Sequence, residues 1–213
     1  MIAADVAYCE RTLGMYTFIE RSTIEFITEG VVGSVRVYKR QDQVRETLFN
    51  ILGPDLSGEY FLDLFGGSGA IGIEALSRGA EKIVWVENNR QSQDLIRANL
   101  KKCRFENNDD SKSSFFAWEL LKMDALKALP SLEKKSLKFD VVYIDPPFAD
   151  NLYEKCLIGL SKSQLLKKES LVVVEHDSKN ILQKIYGRLF RCHQRKFRLL
   201  STTDASDASL SLR

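Results

Sequence analysis

The sequence predicts an α/β fold: a doubly wound, mostly parallel sheet of about seven strands, covered by helices on both faces and ending in an antiparallel C-terminal hairpin. Three observations carry this. Short β-rich apolar runs alternate with helical patterns along most of the 213 residues, the rhythm of parallel strands joined by helices. One run, Phe61-Leu62-Asp63-Leu64, flows into Phe65-Gly66-Gly67-Ser68-Gly69 and then into apolar residues at helical spacing as far as Gly79, which reads as strand, tight loop and helix. Another, Asp140–Ile144, ends in Asp145-Pro146-Pro147-Phe148, a rigid extended turn whose carbonyls no helix consumes.

Composition bounds the rest. The length suits one domain with a full core. A net charge of +2 is too mild to announce a nucleic-acid partner by itself. The four cysteines, Cys9, Cys103, Cys156 and Cys192, lack C-x-x-C spacing, so neither a zinc site nor a disulfide framework is expected. No apolar run is long enough for a bilayer, and acids interrupt the N-terminus where a signal peptide is apolar. A cytoplasmic monomer without metal is the expectation.

In chain order, residues 1–41 read as an N-terminal arm, a β-hairpin or an irregular segment with a turn at Gly30 to Gly33. Val37-Tyr38-Lys39-Arg40-Gln41 is also what a transposon-end sequencing adapter encodes in one frame, so the arm is read as possible chimeric sequence joined to a domain spanning 42–213. From Asp42 a helix is expected, with Val44, Leu48 and Ile51 or Leu52 on one face and Gly53-Pro54 ending it. Arg45 and Glu46 lie on its other side, suited to solvent or to a bound cofactor. After the glycine loop come strand 82–87, helix 90–104, a polar surface loop at 106–114, strand 115–122 and a short helix opening at Met123-Asp124-Ala125-Leu126. The turn after Ile144 leads to helix 151–163 and strand 170–175. Final strands are expected at 188–200 and 208–213.

The chemistry-bearing residues fall at the carboxyl ends of the central strands, where open α/β sheets bind ligands. Gly66, Gly67 and Gly69 let a ligand approach the backbone, and the helix that follows turns its N–H groups toward it. Gly67, Gly69 and Gly72 also satisfy G-x-G-x-x-G, weak evidence alone. Glu87 closes strand 82–87 where a ribose-binding acid belongs. NAD enzymes share this arrangement, so the loop and Glu87 leave two cofactors open. Asp145 to Phe148 discriminates, because such a turn can grip an amino group on a flat ring.

On these residues the chain resembles the class I S-adenosylmethionine-dependent methyltransferases of Rossmann-like fold. The wording of Asp63 to Ala80, preceded by Asp42-Gln43-Val44-Arg45-Glu46-Thr47-Leu48-Phe49-Asn50, is similar to the RsmD type, the bacterial 16S ribosomal RNA guanine-N2 methyltransferases. The resemblance runs from about Asp42 to Val174. Where that family carries an Arg-Pro-Thr element before the helix, this chain has Tyr38-Lys39-Arg40-Gln41.

The resemblance implies S-adenosylmethionine as cofactor, held by Asp63, Phe65, Gly66, Gly67, Gly69, Glu87 and Asp124, with Asp124 facing the adenine amino group. Asp124 also suits an ordinary helix N-cap. It implies 16S ribosomal RNA or the small ribosomal subunit as partner, and Asp145, Pro146, Pro147 and Phe148 as the catalytic turn. A guanine exocyclic amine is a poor nucleophile, since its lone pair is drawn into the ring. Acceptance of its two hydrogens by the Asp145 carboxylate and the Pro146 carbonyl restores the lone pair, and Phe148 stacks on the base. Arg188, Arg191, Arg195, Lys196 and Arg198, in a stretch without acids, form a candidate RNA-tracking face or a solvated edge. His176 and His193 have no companions at ligand spacing and are read as structural. The rivals are a DNA adenine-N6 methyltransferase with a similar turn, an NAD-dependent oxidoreductase, and an RNA-binding module that no longer catalyses.

Overall fold

The computed structural model describes residues 16–23, 45–105, 117–147, 152–177 and 182–197. Its elements are β1 (Tyr16–Thr23), α1 (45–52), β2 (Tyr60–Asp63), α2 (Ala70–Ser77), β3 (Lys82–Val86), α3 (Arg90–Lys102), β4 (Ala117–Leu121), α4 (Ala125–Lys134), β5 (Phe139–Ile144), α5 (Leu152–Lys162), β6 (Leu166–Asp177), β7 (Ile185–Tyr186) and β8 (Leu189–Phe197). They build one eight-stranded sheet in the order β4-β3-β2-β5-β6-β1-β8-β7. The described ladders are parallel except that between β7 and β8.

Strands buried on both faces need apolar residues of both parities, and β5 supplies them. Val141 and Tyr143 join Leu48, Phe49, Leu76, Trp85 and Ile96 in the core beneath α1, α2 and α3. Val142 and Ile144 join Leu62, Leu129, Leu132, Leu157 and Leu160 beneath α4 and α5. From β2 the chain winds outward through β3 to β4, then returns to place β5 on the other side of β2. The carboxyl ends of β2 and β5 therefore flank the topological switch point, where such sheets open a crevice.

The expected α/β class holds, with three differences of detail. Among the described residues eight strands are present rather than about seven, the additions being β7 and β1, which pairs in parallel with both β6 and β8. Residues 16–23 are thus a strand inside the sheet and not half of a local hairpin; their β-branched and aromatic residues favour strand, but pairing with a segment some 150 residues away leaves no local trace. The expected turn at Gly30 to Gly33, the junction at Asp42 and the strand at 208–213 lie outside the described residues. The antiparallel hairpin comes earlier than expected, its strands joined by Gly187 and Arg188. Gly187 has φ +56°, as the first position of a two-residue type II′ turn requires. In α1 Leu48 and Phe49 are buried and, of the two alternatives Ile51 and Leu52, it is Leu52 that packs against the core, whereas Ile51 is 38% exposed.

Candidate active site

The glycine loop is stitched to three strands by backbone and side-chain bonds. The Leu64 amide donates to the Tyr143 carbonyl at 3.0 Å and the Gly66 amide to Val86 at 3.0 Å, so the loop leaves β2 tied to β5 on one side and β3 on the other. Its hinge positions are Gly67 (φ +50°) and Gly69 (φ +79°), left-handed conformations that side chains resist. A Cβ on Gly67 would meet only the Phe65 carbonyl, at 3.8 Å. That side of the loop is open. Gly72 serves packing instead, since a Cβ there would come within 2.4 Å of the Trp85 indole.

Glu87 and the loop form one unit. One Glu87 carboxylate oxygen, Oε2, accepts the Gly67 amide at 2.8 Å, while Oε1 accepts the Asn89 amide at 2.7 Å. The carboxylate, 9% exposed, is thereby fixed in orientation, and each oxygen keeps a second lone pair. Two α3 side chains complete the setting and were not singled out in the sequence: Gln93 donates to the Glu87 carbonyl at 2.8 Å, and Asn99 donates to the Ser68 carbonyl at 2.9 Å. Their spacing on one helix was visible. That Gln93 reaches the Glu87 carbonyl and Asn99 the loop was not.

Asp63 ends β2 almost fully buried, at 1% exposure. Burial pushes its carboxyl up to about 7; the Phe65 amide, donating at 3.3 Å, pulls it down, and the charge of Glu87 adds a further push upward. An acid perturbed by burial and a neighbouring charge is common at working sites. Asp124 is the N-cap of α4, its Oδ1 accepting the amides of Leu126 at 2.9 Å and Lys127 at 3.3 Å. The plainer reading, a helix N-cap, is thus present, three residues past the end of β4, where the Leu121 carbonyl accepts the Glu87 amide at 3.0 Å.

Asp145 is exposed just past β5, Pro146 is buried and Pro147 exposed; Phe148 lies outside the described residues. Beneath this turn the Tyr143 hydroxyl donates to Glu175 Oε2 at 2.7 Å, with both residues buried. Burial raises the Tyr143 hydroxyl far above its usual range, reinforced by the charges of Glu175, Asp145 and Asp63. The phenol therefore stays protonated and acts as donor.

The basic residues divide. Arg188 donates to the carbonyls of Ser161 and Ser163 at the end of α5, and Arg191 donates to the Leu182 carbonyl at 3.1 Å. Arg195 pairs in register with Arg21, which pairs with Glu175. The β8 backbone thus brings Arg195 and Lys196 to the rim that bears Asp145, while Arg188 lies in the turn before the strand, roughly 20 Å away at 3.3 Å per residue. Arg198 lies outside the described residues. Among those residues no helix is long and apolar enough to cross a membrane.

A family model described as conserved hypothetical protein 95 matches residues 38–202. The chain belongs to that family. Ribosomal RNA small subunit methyltransferase D of Escherichia coli K12 is 34% identical over 168 residues, covering 73% of this chain and 78% of that protein. The protein of the same name from Haemophilus influenzae is 36% identical over 136 residues, covering 63% and 65%. A conserved hypothetical protein from Streptococcus pyogenes, known as a solved structure, aligns with TM-score 0.57 and 37% identity over 66% of this chain and 81% of that one. The RsmD-type family to which the sequence pointed is therefore the family found.

Proposed function

We propose that the chain transfers a methyl group from S-adenosylmethionine to the exocyclic N2 of a guanine in 16S ribosomal RNA, and that residues 42–213 form the methyltransferase domain. The observation that carries this reading is the meeting, at the switch point of the sheet, of the glycine loop bound to Glu87 with the Asp145-Pro146-Pro147 turn. Family membership supports the ribosomal RNA substrate.

The residues present fit the cofactor. The open side of Gly67 leaves room against the backbone, and the fixed Glu87 carboxylate offers paired acceptors suited to two ribose hydroxyls. Asp63, Phe65, Gly66, Gly69 and Asp124 complete the proposed binding set. When bound, S-adenosylmethionine supplies an electrophilic methyl group on a sulfonium. Asp145 and the Pro146 carbonyl accept the hydrogens of the target amine, aligning its lone pair and stabilising positive charge as it develops on nitrogen. After transfer, the amine proton passes to Asp145 or to water. Phe148 stacks on the base, while Arg195, Lys196 and Arg198 follow the RNA backbone.

The test is methyl transfer from labelled S-adenosylmethionine to 16S RNA, to partly assembled small subunits and, in parallel, to DNA, followed by nucleoside analysis. Labelled N2-methylguanosine is the expected product. Labelled N6-methyladenosine in DNA, or no transfer to either nucleic acid, would overturn the reading.

A further inference from the structure

Behind the Asp145 turn lies a pair that the mechanism above leaves without a role. Tyr143 and Glu175 are 3% and 8% exposed and joined at 2.7 Å. Ile144 and Val174 are the last paired residues of the β5–β6 ladder, so Asp145 and Glu175 are the next residues of two adjacent strands. Tyr143 itself pairs with Asp63 on β2 and Val173 on β6. Its hydroxyl thus lies at the carboxyl ends of the three adjacent strands that carry or lead to Asp63, Asp145 and Glu175.

Stability alone gives little reason for such a pair. Its neighbours Val141 and Val173 are apolar and buried, and replacing a buried polar pair with apolar residues of similar volume is often neutral or stabilising. A buried carboxylate beside the reacting centre has a different use. A methyl-accepting amine carries hydrogens to donate as it gains positive charge, whereas a carbonyl oxygen carries none. An anion held nearby favours the amine as its charge develops, and costs no reorganisation when its own orientation is already set.

We propose that Tyr143 and Glu175 are positioning residues for the methyl-accepting amine, the tyrosine hydroxyl holding the Glu175 carboxylate beside Asp145 so that the crevice selects an exocyclic amino group as acceptor. This inference rests on the methyltransferase reading. Tyr143 acts through Glu175, and Glu175 acts through the field at the Asp145 turn.

The test uses the full chain, with Tyr143→Phe, Glu175→Gln and the double variant. Each single variant should lower kcat about ten-fold, which corresponds to about 1.4 kcal/mol of lost transition-state stabilisation. KM for RNA and the calorimetric affinity for S-adenosylmethionine should stay within about two-fold, and the double variant should be no slower than the worse single one, as for residues acting as a unit. Melting temperatures are measured alongside. Wild-type kcat in Tyr143→Phe, with or without a lower melting temperature, would show a purely structural pair. A loss of cofactor affinity equal to the loss of rate would assign the pair to the cofactor and overturn the proposal. Should Glu175→Gln not fold, Tyr143→Phe, which keeps the ring, decides alone. If the wild-type chain transfers no methyl group to RNA, the proposed function itself fails and takes this inference with it; an active wild type with unchanged variants sinks only the inference.

Discussion

Glu87 Oε2 accepts the amide of Gly67 at 2.8 Å, so the acid at the end of β3 and the glycine loop after β2 keep each other in place before any ligand arrives. Removing the carboxylate has two consequences: the proposed ribose acceptors are lost, and the Gly67 and Asn89 amides lose their partner. Glu87→Ala should weaken S-adenosylmethionine binding by roughly 1.5–3 kcal/mol, the worth of a hydrogen bond to a charged group. Isothermal calorimetry checks this, and unchanged affinity would remove Glu87 from the cofactor site.

Asp63 makes stability depend on pH. Its carboxyl is held up to about 7 by burial, against an ordinary value of 3.8. The folded state therefore binds this proton more tightly than the unfolded state. Stability falls as pH rises from the unfolded value through the folded one and stays lower above it. The cost of ionising Asp63 is on the order of a few kcal/mol. Asp63→Asn, which can still accept the Phe65 amide, should flatten this slope and raise the melting temperature by several degrees above about pH 7. Thermal unfolding across that range is the measurement, and identical pH profiles would refute the assignment.

Gly72 separates packing from ligand approach. A Cβ at this position would lie 2.4 Å from the Trp85 indole, and Trp85 is fully buried between α2 and α3. Gly72→Ala should therefore destabilise the chain by about 1–3 kcal/mol through overpacking, lowering the melting temperature by about 2–4 °C for each kcal/mol. Calorimetric melting checks this, and an unchanged melting temperature would show that the indole can move aside.

Much of this was legible in the sequence, for local reasons. The glycine loop, Glu87 and the Asp145 turn are contiguous motifs, and their apolar strands fix where the chain runs; that they meet follows from the parallel α/β pattern. Long-range partners were not legible. Gln93, Asn99 and Glu175 look like ordinary polar residues on a helix and a strand, and only the fold brings them to the Glu87 carbonyl, the Ser68 carbonyl and the Tyr143 hydroxyl. β1 was missed for the same reason, since its pairing with β6 and β8 depends on residues far along the chain. The Gly187 turn was locally visible as a glycine between Tyr186 and Arg188, but placing the hairpin across a longer loop overlooked it.

The basic stretch of the C-terminal region should divide into two functions. Arg188→Gln removes donors from the carbonyls that end α5 and should lower stability with little effect on RNA affinity. Changing Arg195, Lys196 and Arg198 together to Gln should weaken RNA binding and flatten its salt dependence by about one unit per lost phosphate contact. Filter binding across a salt series, with melting curves for each variant, distinguishes them. An unchanged salt slope in the triple variant would mark this face as a solvated edge.

Asp145 offers the sharpest test of the proposed chemistry, because its role is with the target amine and not with the cofactor. It stands exposed at the crevice, one residue past β5, with Pro146 fixing the backbone that follows. An interaction that strengthens only as charge develops on nitrogen lowers turnover more than binding when it is lost. Asp145→Ala should thus lower kcat on the order of 100-fold or more, by analogy with removing one oxyanion-type group, while cofactor affinity and melting temperature remain close to wild type. Asp145→Asn keeps an acceptor oxygen but cannot take a proton. Single-turnover rates of the two variants separate the roles: near-wild-type transfer in Asn with none in Ala assigns orientation to Asp145, equal loss in both assigns the charge, and full activity in Ala would mean that the target base binds elsewhere on the chain.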